Sequence, residues 1–306
     1  SLPASDPELA AARKLAHREG PIASLLEQMD PPGYWSEPGP GYGPKYRSTV
    51  WSVILLAQLG ARIEEDERLQ TACDYLVSQA LCAGGQFSAT GAPSGTIDCL
   101  QGNLCWALTE LGCDDPRLAG AFEWMARTVT GESIAPRENQ KAPVRYYAGK
   151  CGPGFACGAN SEQPCAWGAV KVMLALAKLP PERQTPLIKD AVQAGVDFLF
   201  SVDPATALYP SGITNHPNSS WWKFGFPVFY VTDILQVGEA LAAFGLAGDP
   251  RLKNALDLIA SKQTPDGRWA LEYDYSGKTW LEFGKKKEPS PWVTLRALRV
   301  LKAAGY

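Results

Sequence analysis

The chain has 306 residues, is 45% hydrophobic and carries a formal charge of -3 at neutral pH, which is enough apolar material for one large core. Its basic residues are scattered, against the footprint of a nucleic-acid binder, and no apolar run approaches the ~20 residues that span a bilayer. The opening residues lack the charged and apolar regions of a signal peptide, so a cytoplasmic protein is the expectation.

Residues 7–19, rich in Ala and Arg, read as a helix that caps the first of several repeats, because a terminal unit has no neighbour to cover its face. Apolar helices that stop at small residues or Leu-Gly then recur at 47–60, 99–112, 165–179, 229–245 and 292–305. Starts roughly 50 to 65 residues apart leave room for two helices and their connections in each period. The pattern predicts a single domain of five helix-hairpin repeats, 21–62, 63–114, 115–180, 181–247 and 248–306, behind a capping helix at 1–20. The oligomeric state is left open.

Three repeats share a local signature: Gln28, Gly33 and Trp35; Gln79, Gly85 and Phe87; Gln263, Gly267 and Trp269. In each, the Gln is positioned to bond free backbone groups at the end of the outer helix and the aromatic to cover the following turn. This signature resembles the Gln-Trp repeat of squalene and oxidosqualene cyclases, whose α/α toroid is shared with the β subunits of protein prenyltransferases. The resemblance implies an all-α chain folded as a single α/α toroid of about five helix hairpins, with the N-termini of its inner helices gathered at one end.

Two repeats depart from the signature. In the third, the turn is replaced by about 35 residues, 128–164, without periodicity, a length that is usually functional or disordered inside a compact domain. In the fourth, the outer helix is followed by Leu208-Tyr209-Pro210-Ser211-Gly212 and by Trp221-Trp222-Lys223-Phe224-Gly225-Phe226.

All eight cysteines fall between Cys73 and Cys165. Cys99 and Cys165 begin successive inner helices, and the long third loop adds Cys151 and Cys157, so the toroid brings these four together as a candidate zinc site. Ordinary buried thiols and disulfides are the other readings of the same residues. Cys73, Cys105 and Cys113 are expected to pack as small apolar side chains. In prenyltransferase β subunits an Asp, a Cys and a His hold zinc; Asp98 and Cys99 resemble the first two, and Cys165 stands where the His would be.

Asp98 and Asp233 are the candidate acids. Asp98-Cys99 resembles the opening of the oxidosqualene cyclase acid motif, although Leu100-Gln101-Gly102 replaces what should follow, and a helix N-cap is the other role open to it. Asp233 lies in the predicted fourth inner helix, able to face the lumen with a raised pKa or to pair with Arg296. Trp51, Asn103, Trp106, Trp167, Tyr230 and Trp292 recur on inner helices as candidates to line a cavity for an apolar substrate, their ring faces suited to a carbocation. His17, on the capping helix, is expected to be solvated, and His216 to be a loop residue. The leading expectation is a squalene-cyclase-like enzyme acting on an isoprenoid or other apolar molecule. A zinc-dependent enzyme activating a thiol or water and a binding protein with a structural zinc site are the alternatives.

Overall fold

The computed structural model describes residues 6–135, 138, 139, 141 and 150–306. Eleven α-helices lie among them: α1 (Pro7–Arg18), then α2 (Gly20–Leu26), α3 (Thr49–Gln58), α4 (Arg68–Ala80), α5 (Asp98–Leu111), α6 (Arg117–Thr130), α7 (Ala166–Leu176), α8 (Pro186–Leu199), α9 (Ile234–Ala243), α10 (Lys253–Ser261) and α11 (Pro291–Ala303). The outer helices α4, α6, α8 and α10 bury one stripe each, the sign of a helix with solvent on one side. Inner helices are covered nearly all round: every residue of α3 from Thr49 to Ala57 is buried. Successive inner helices pack against one another, and outer helices back them. The last repeat is tied to the first by Trp280 Nε1 donating to the Arg47 carbonyl at 2.8 Å, and the fourth is tied to the first by Gln58 exchanging hydrogen bonds of 2.6 and 2.8 Å with the backbone of Val228. The architecture is an all-α toroid of helix hairpins.

The repeat signature has a physical explanation that differs from the expected one. Trp35 and Trp269 are fully buried, and each indole N–H donates to the carbonyl ten residues earlier in the outer helix, Leu25 at 2.8 Å and Ile259 at 2.7 Å. Phe87 takes the same buried place without the N–H. The backbone N–H groups of Trp35, Phe87 and Trp269 donate to side chains of the inner helices, Thr49 (3.2 Å), Gln101 (2.7 Å) and Thr294 (3.0 Å). The tie therefore comes from the inner helix and not from the helix-end Gln; Gln79 reaches only the neighbouring Ser78 hydroxyl, at 3.4 Å. Gly33, Gly85 and Gly267 have φ of +102°, +96° and +79°, and a Cβ on Gly33 would lie 2.5 Å from the Thr71 carbonyl oxygen.

The closest helix contact carries the candidate site. Gly102 of α5 lies flat on α7, where a Cβ would fall 2.4 Å from the backbone carbon of Lys171, and a Cβ on Gly168 of α7 would fall 2.9 Å from the Asp98 Cβ. These two glycines let α5 and α7 approach backbone to backbone and set their N-termini side by side. Gly102→Ala is expected to lower stability by about 1–3 kcal/mol through overpacking, read as a reduced urea midpoint with an unchanged slope.

Within the long third loop, 150–165 is built rather than irregular. Strands β1 (Cys151–Gly152) and β2 (Ala156–Cys157) pair antiparallel, with Cys151 directly opposite Cys157. Phe155 at the hairpin is buried and stacks on Phe198 of α8 at 5.4 Å between centroids. Aromatic burial thus pins this part of the loop. His17 is buried too, contrary to expectation: its Nε2 accepts from the Arg62 backbone N–H at 3.0 Å and clamps α1 onto the turn after α3.

Candidate active site

Asp98 is the first residue of α5, and Ile97 is its N-cap, so the capping role is not the one it plays. The side chain is buried; among the described residues neither oxygen has a nitrogen or oxygen partner, and the Cys151 thiol hydrogen-bonds to the carboxyl. Burial pushes its pKa up to about 8; the Cys157 thiolate adds to the shift, and the Cys151 thiol beside the carboxyl opposes it. Desolvation disfavours the charged form. Asp98 therefore holds a proton at neutral pH.

Cys99, Cys151 and Cys157 stand around it, and Cys165 joins them through Cys157 and Cys99. Cys157 shares a hydrogen bond with Cys165, and its sulfur accepts the backbone N–H groups of Ala159 and Asn160, which bring it down to about 6 against the cost of burial. Cys165 is pushed up by that shared bond and by burial, while its sulfur accepts the N–H of Gly168. Burial raises Cys99 to about 12, opposed by Lys171 and by the Leu100 N–H, and raises Cys151 as well. All eight cysteines are free. Cys73 and Cys113 are hydrogen-bonded to each other, and Cys105 is buried. Among the described residues no group of three or more His, Cys, Asp or Glu is arranged to hold a metal ion.

Asp233 is the N-cap of α9 and not a residue within it, because the helix begins only at Ile234. One carboxylate oxygen accepts the Gln236 N–H at 2.9 Å, and both take the Arg296 guanidinium at 2.8 Å. Arg296 also grips Glu239 at 3.0 Å. Although buried, Asp233 is held below the usual carboxylate range by Arg296 and by backbone donors. It is an ionised partner in a core ion pair, and it has no proton to give.

The expected aromatic lining is divided between two ends of the barrel. At the N-terminal ends of the inner helices, a cavity of about 410 Å³ is lined by Cys99, Cys157, Cys165, Trp167, Tyr230 and the fourth-repeat loop, including Tyr209, Trp221 and His216. Asn160 braces its rim by donating to the Pro210 carbonyl at 3.1 Å. Asp98 is not part of this wall, although its neighbours Ile97 and Cys99 are. At the other end, Asn103, Trp106 and Trp292 line a second cavity of about 540 Å³. Between the two, Trp51 is core: its indole donates to the Tyr42 carbonyl at 2.8 Å, and it packs on Tyr42, Tyr46, Phe229 and Tyr230. Asn103 donates to the Phe229 carbonyl at 3.3 Å. The barrel centre is thus filled.

Sequence reading missed two groups. Lys45 lies 5.0 Å over the Tyr230 ring and 5.5 Å over Tyr42, so these faces already meet a positive charge at the first cavity. Lys171 is buried in the middle of α7, and a lone cation inside Ala169-Val170-Lys171-Val172-Met173 was its signal.

No protein-family model and no curated protein sequence matches the chain. Among solved structures, the apo form of the type II terpene cyclase MstE from Scytonema aligns over 96% of this chain and 76% of that one, at 16% identity and a TM-score of 0.50. A variant of the same cyclase in complex with geranylgeranyl dihydroxybenzoate, its substrate, aligns over 96% and 75% at 16% identity, with a TM-score of 0.48. No helix among the described residues is long and apolar enough to cross a membrane. The chain therefore has the α/α-toroid fold seen in a type II terpene cyclase.

Proposed function

We propose that this protein is a terpenoid-cyclase-like enzyme that uses a carboxylic acid to start rearrangement of an isoprenoid in the aromatic cavity at the N-terminal ends of its inner helices. The observation that carries the reading is Asp98, a buried carboxyl with no nitrogen or oxygen hydrogen-bond partner among the described residues and only a thiol beside it, next to a wall of that cavity. In the reaction, the acid O–H gives its proton to one carbon of an alkene, a C–H bond forms, and the positive charge on the other carbon is attacked by the next double bond. Loss of a proton from the final cation to water ends the sequence, and solvent reprotonates Asp98. The net change is an isomerisation, with no oxidant or reductant. Trp167 offers a ring face to the passing charge.

The test is incubation with geranylgeraniol in deuterated buffer, followed by mass spectrometry of the extracted products. A cyclised product carrying one non-exchangeable deuterium supports the reading, and its loss in Asp98→Asn assigns the acid. An unchanged alcohol, or a product formed equally by the variant, removes Asp98 from the role.

Zinc on Cys99, Cys151, Cys157 and Cys165 is the rival proposal. Backbone N–H groups aimed at the sulfurs of Cys99, Cys157 and Cys165 favour it, because such donors stabilise thiolates, the form that binds metal. The two readings oppose each other at Asp98, since a cation among the sulfurs would draw the proton off its carboxyl. Metal content per chain decides between them. One equivalent of zinc, lost in Cys165→Ser, supports the ion, whereas a metal-free chain with eight reactive thiols after denaturation removes it.

A further inference from the structure

The 540 Å³ cavity at the C-terminal ends of the inner helices has a different chemistry from the first. Six cations line it, Arg13, Arg62, Lys171, Lys178, Arg296 and Arg299, against two carboxylates, Glu110 and Glu239. Arg62 and Lys178 share Glu110, and Arg296 is engaged by Asp233 and Glu239. Arg13 is half-buried and Arg299 exposed, whereas Lys171 lies in the interior. Only 1% exposed, it donates from Nζ to the neutral side-chain oxygen of Gln236, and no carboxylate among the described residues is bonded to it.

A purely structural residue at this position has no reason to be lysine. Its neighbours in α7 are apolar, the backbone is pressed against Gly102, and burying an ammonium without a bonded counter-charge costs several kcal/mol. A Met or Leu would fill the space without that cost. Trp106, Trp292, Leu174 and Phe226 supply apolar walls around the charge. A concave site with apolar walls beside a buried cation that is not paired to a carboxylate fits an amphipathic monoanion.

We propose that this cavity is a ligand site for a carboxylate carried on a long apolar chain, with the carboxylate at Lys171 Nζ and the chain against Trp106 and Trp292. One buried cation with one neutral hydrogen-bond partner suits a single negative charge. Desolvation holds Lys171 down to about 7 in the field of Asp233, Arg296, Cys99 and Glu239, and a carboxylate at Nζ restores the charged ammonium. The site lies in a different cavity from Asp98, so it stands or falls independently of the cyclisation reading.

Isothermal titration of the full chain with dodecanoate, and with dodecanol as the uncharged probe, tests it. The expected result is one dodecanoate per chain, bound at least tenfold more tightly than dodecanol. In Lys171→Met that preference is lost while dodecanol binding is unchanged. Lys171→Gln, which keeps a donor without the charge, is expected to behave like Lys171→Met. Binding of dodecanoate that is absent, no tighter than that of dodecanol, or retained in both variants overturns the proposal.

Discussion

Asp98→Asn is expected to abolish cyclisation while leaving the protein folded and, in alkaline buffer, more stable than the parent. General acids typically contribute about 10²–10⁴ to a rate, and Asn keeps the shape of Asp98 without a transferable proton. The stability change follows from linkage. The folded-state pKa of Asp98, about 8, lies above the ordinary carboxyl value of 3.8. The folded chain therefore keeps a proton that the unfolded chain has lost, and stability declines as pH rises from the ordinary carboxylate range through about 8. The upper bound on this loss is on the order of 5 kcal/mol. Asn carries no such dependence, so melting temperatures of parent and variant are expected to lie close together at acid pH and to diverge by several degrees in alkaline buffer, with the variant higher. Activity of the parent should fall over the same rise toward and beyond pH 8. Parallel melting curves across that range would show that Asp98 is ionised, and would end its candidacy as an acid.

What the residues disclosed about this site depended on how locally each feature was encoded. The inner helices were legible because helices covered on all sides are apolar on all sides, as in α3 and α7. The toroid was legible because the buried Trp35 and Trp269 recur beside glycines forced to positive φ. The start of α9 was not, since Asp233 ends the extended approach and caps the helix through space, and nothing within 229–233 breaks a helical pattern on its own. The hairpin joining Cys151 to Cys157 was hidden because its strands are only two residues long, too short to show alternation. The division of the aromatics between two cavities depends on Trp51, Phe229 and Tyr230 meeting from different repeats, and no local pattern encodes such a meeting. The convergence of three cysteines on Asp98, with Cys165 joining through two of them, in contrast, follows from topology once α5 and α7 are neighbouring inner helices. Whether that convergence serves acid chemistry or a cation is a matter of charge, and spacing carries no information on it.

Removing the guanidinium of Arg296 is expected to be the most destabilising single change in the core. In Arg296→Met, Asp233 and Glu239 lose their shared partner, and Asp233 is left buried with only backbone donors from Gln236 and Gly225. Breaking a buried pair from one side costs about 3–5 kcal/mol, because the remaining charge has nothing to offset its desolvation. In the parent, the depressed folded pKa of Asp233 contributes stability that is present above the unfolded value of 3.8 and is lost as pH falls through the folded value. In the variant, burial acts without the opposing guanidinium, and the pKa of Asp233 moves up. The deficit of Arg296→Met should therefore be largest near neutral pH and shrink as the pH approaches 4, where Asp233 takes a proton and needs no partner. Urea unfolding at several pH values measures this directly. Asp233→Asn in the same background should recover part of the loss at neutral pH by removing the orphaned charge, and Glu239, which is partly exposed, should matter less. A deficit that stays constant with pH, and is not relieved by Asp233→Asn, would mean that Arg296 stabilises the barrel through the packing of its aliphatic stem and that the ion pair with Asp233 contributes little.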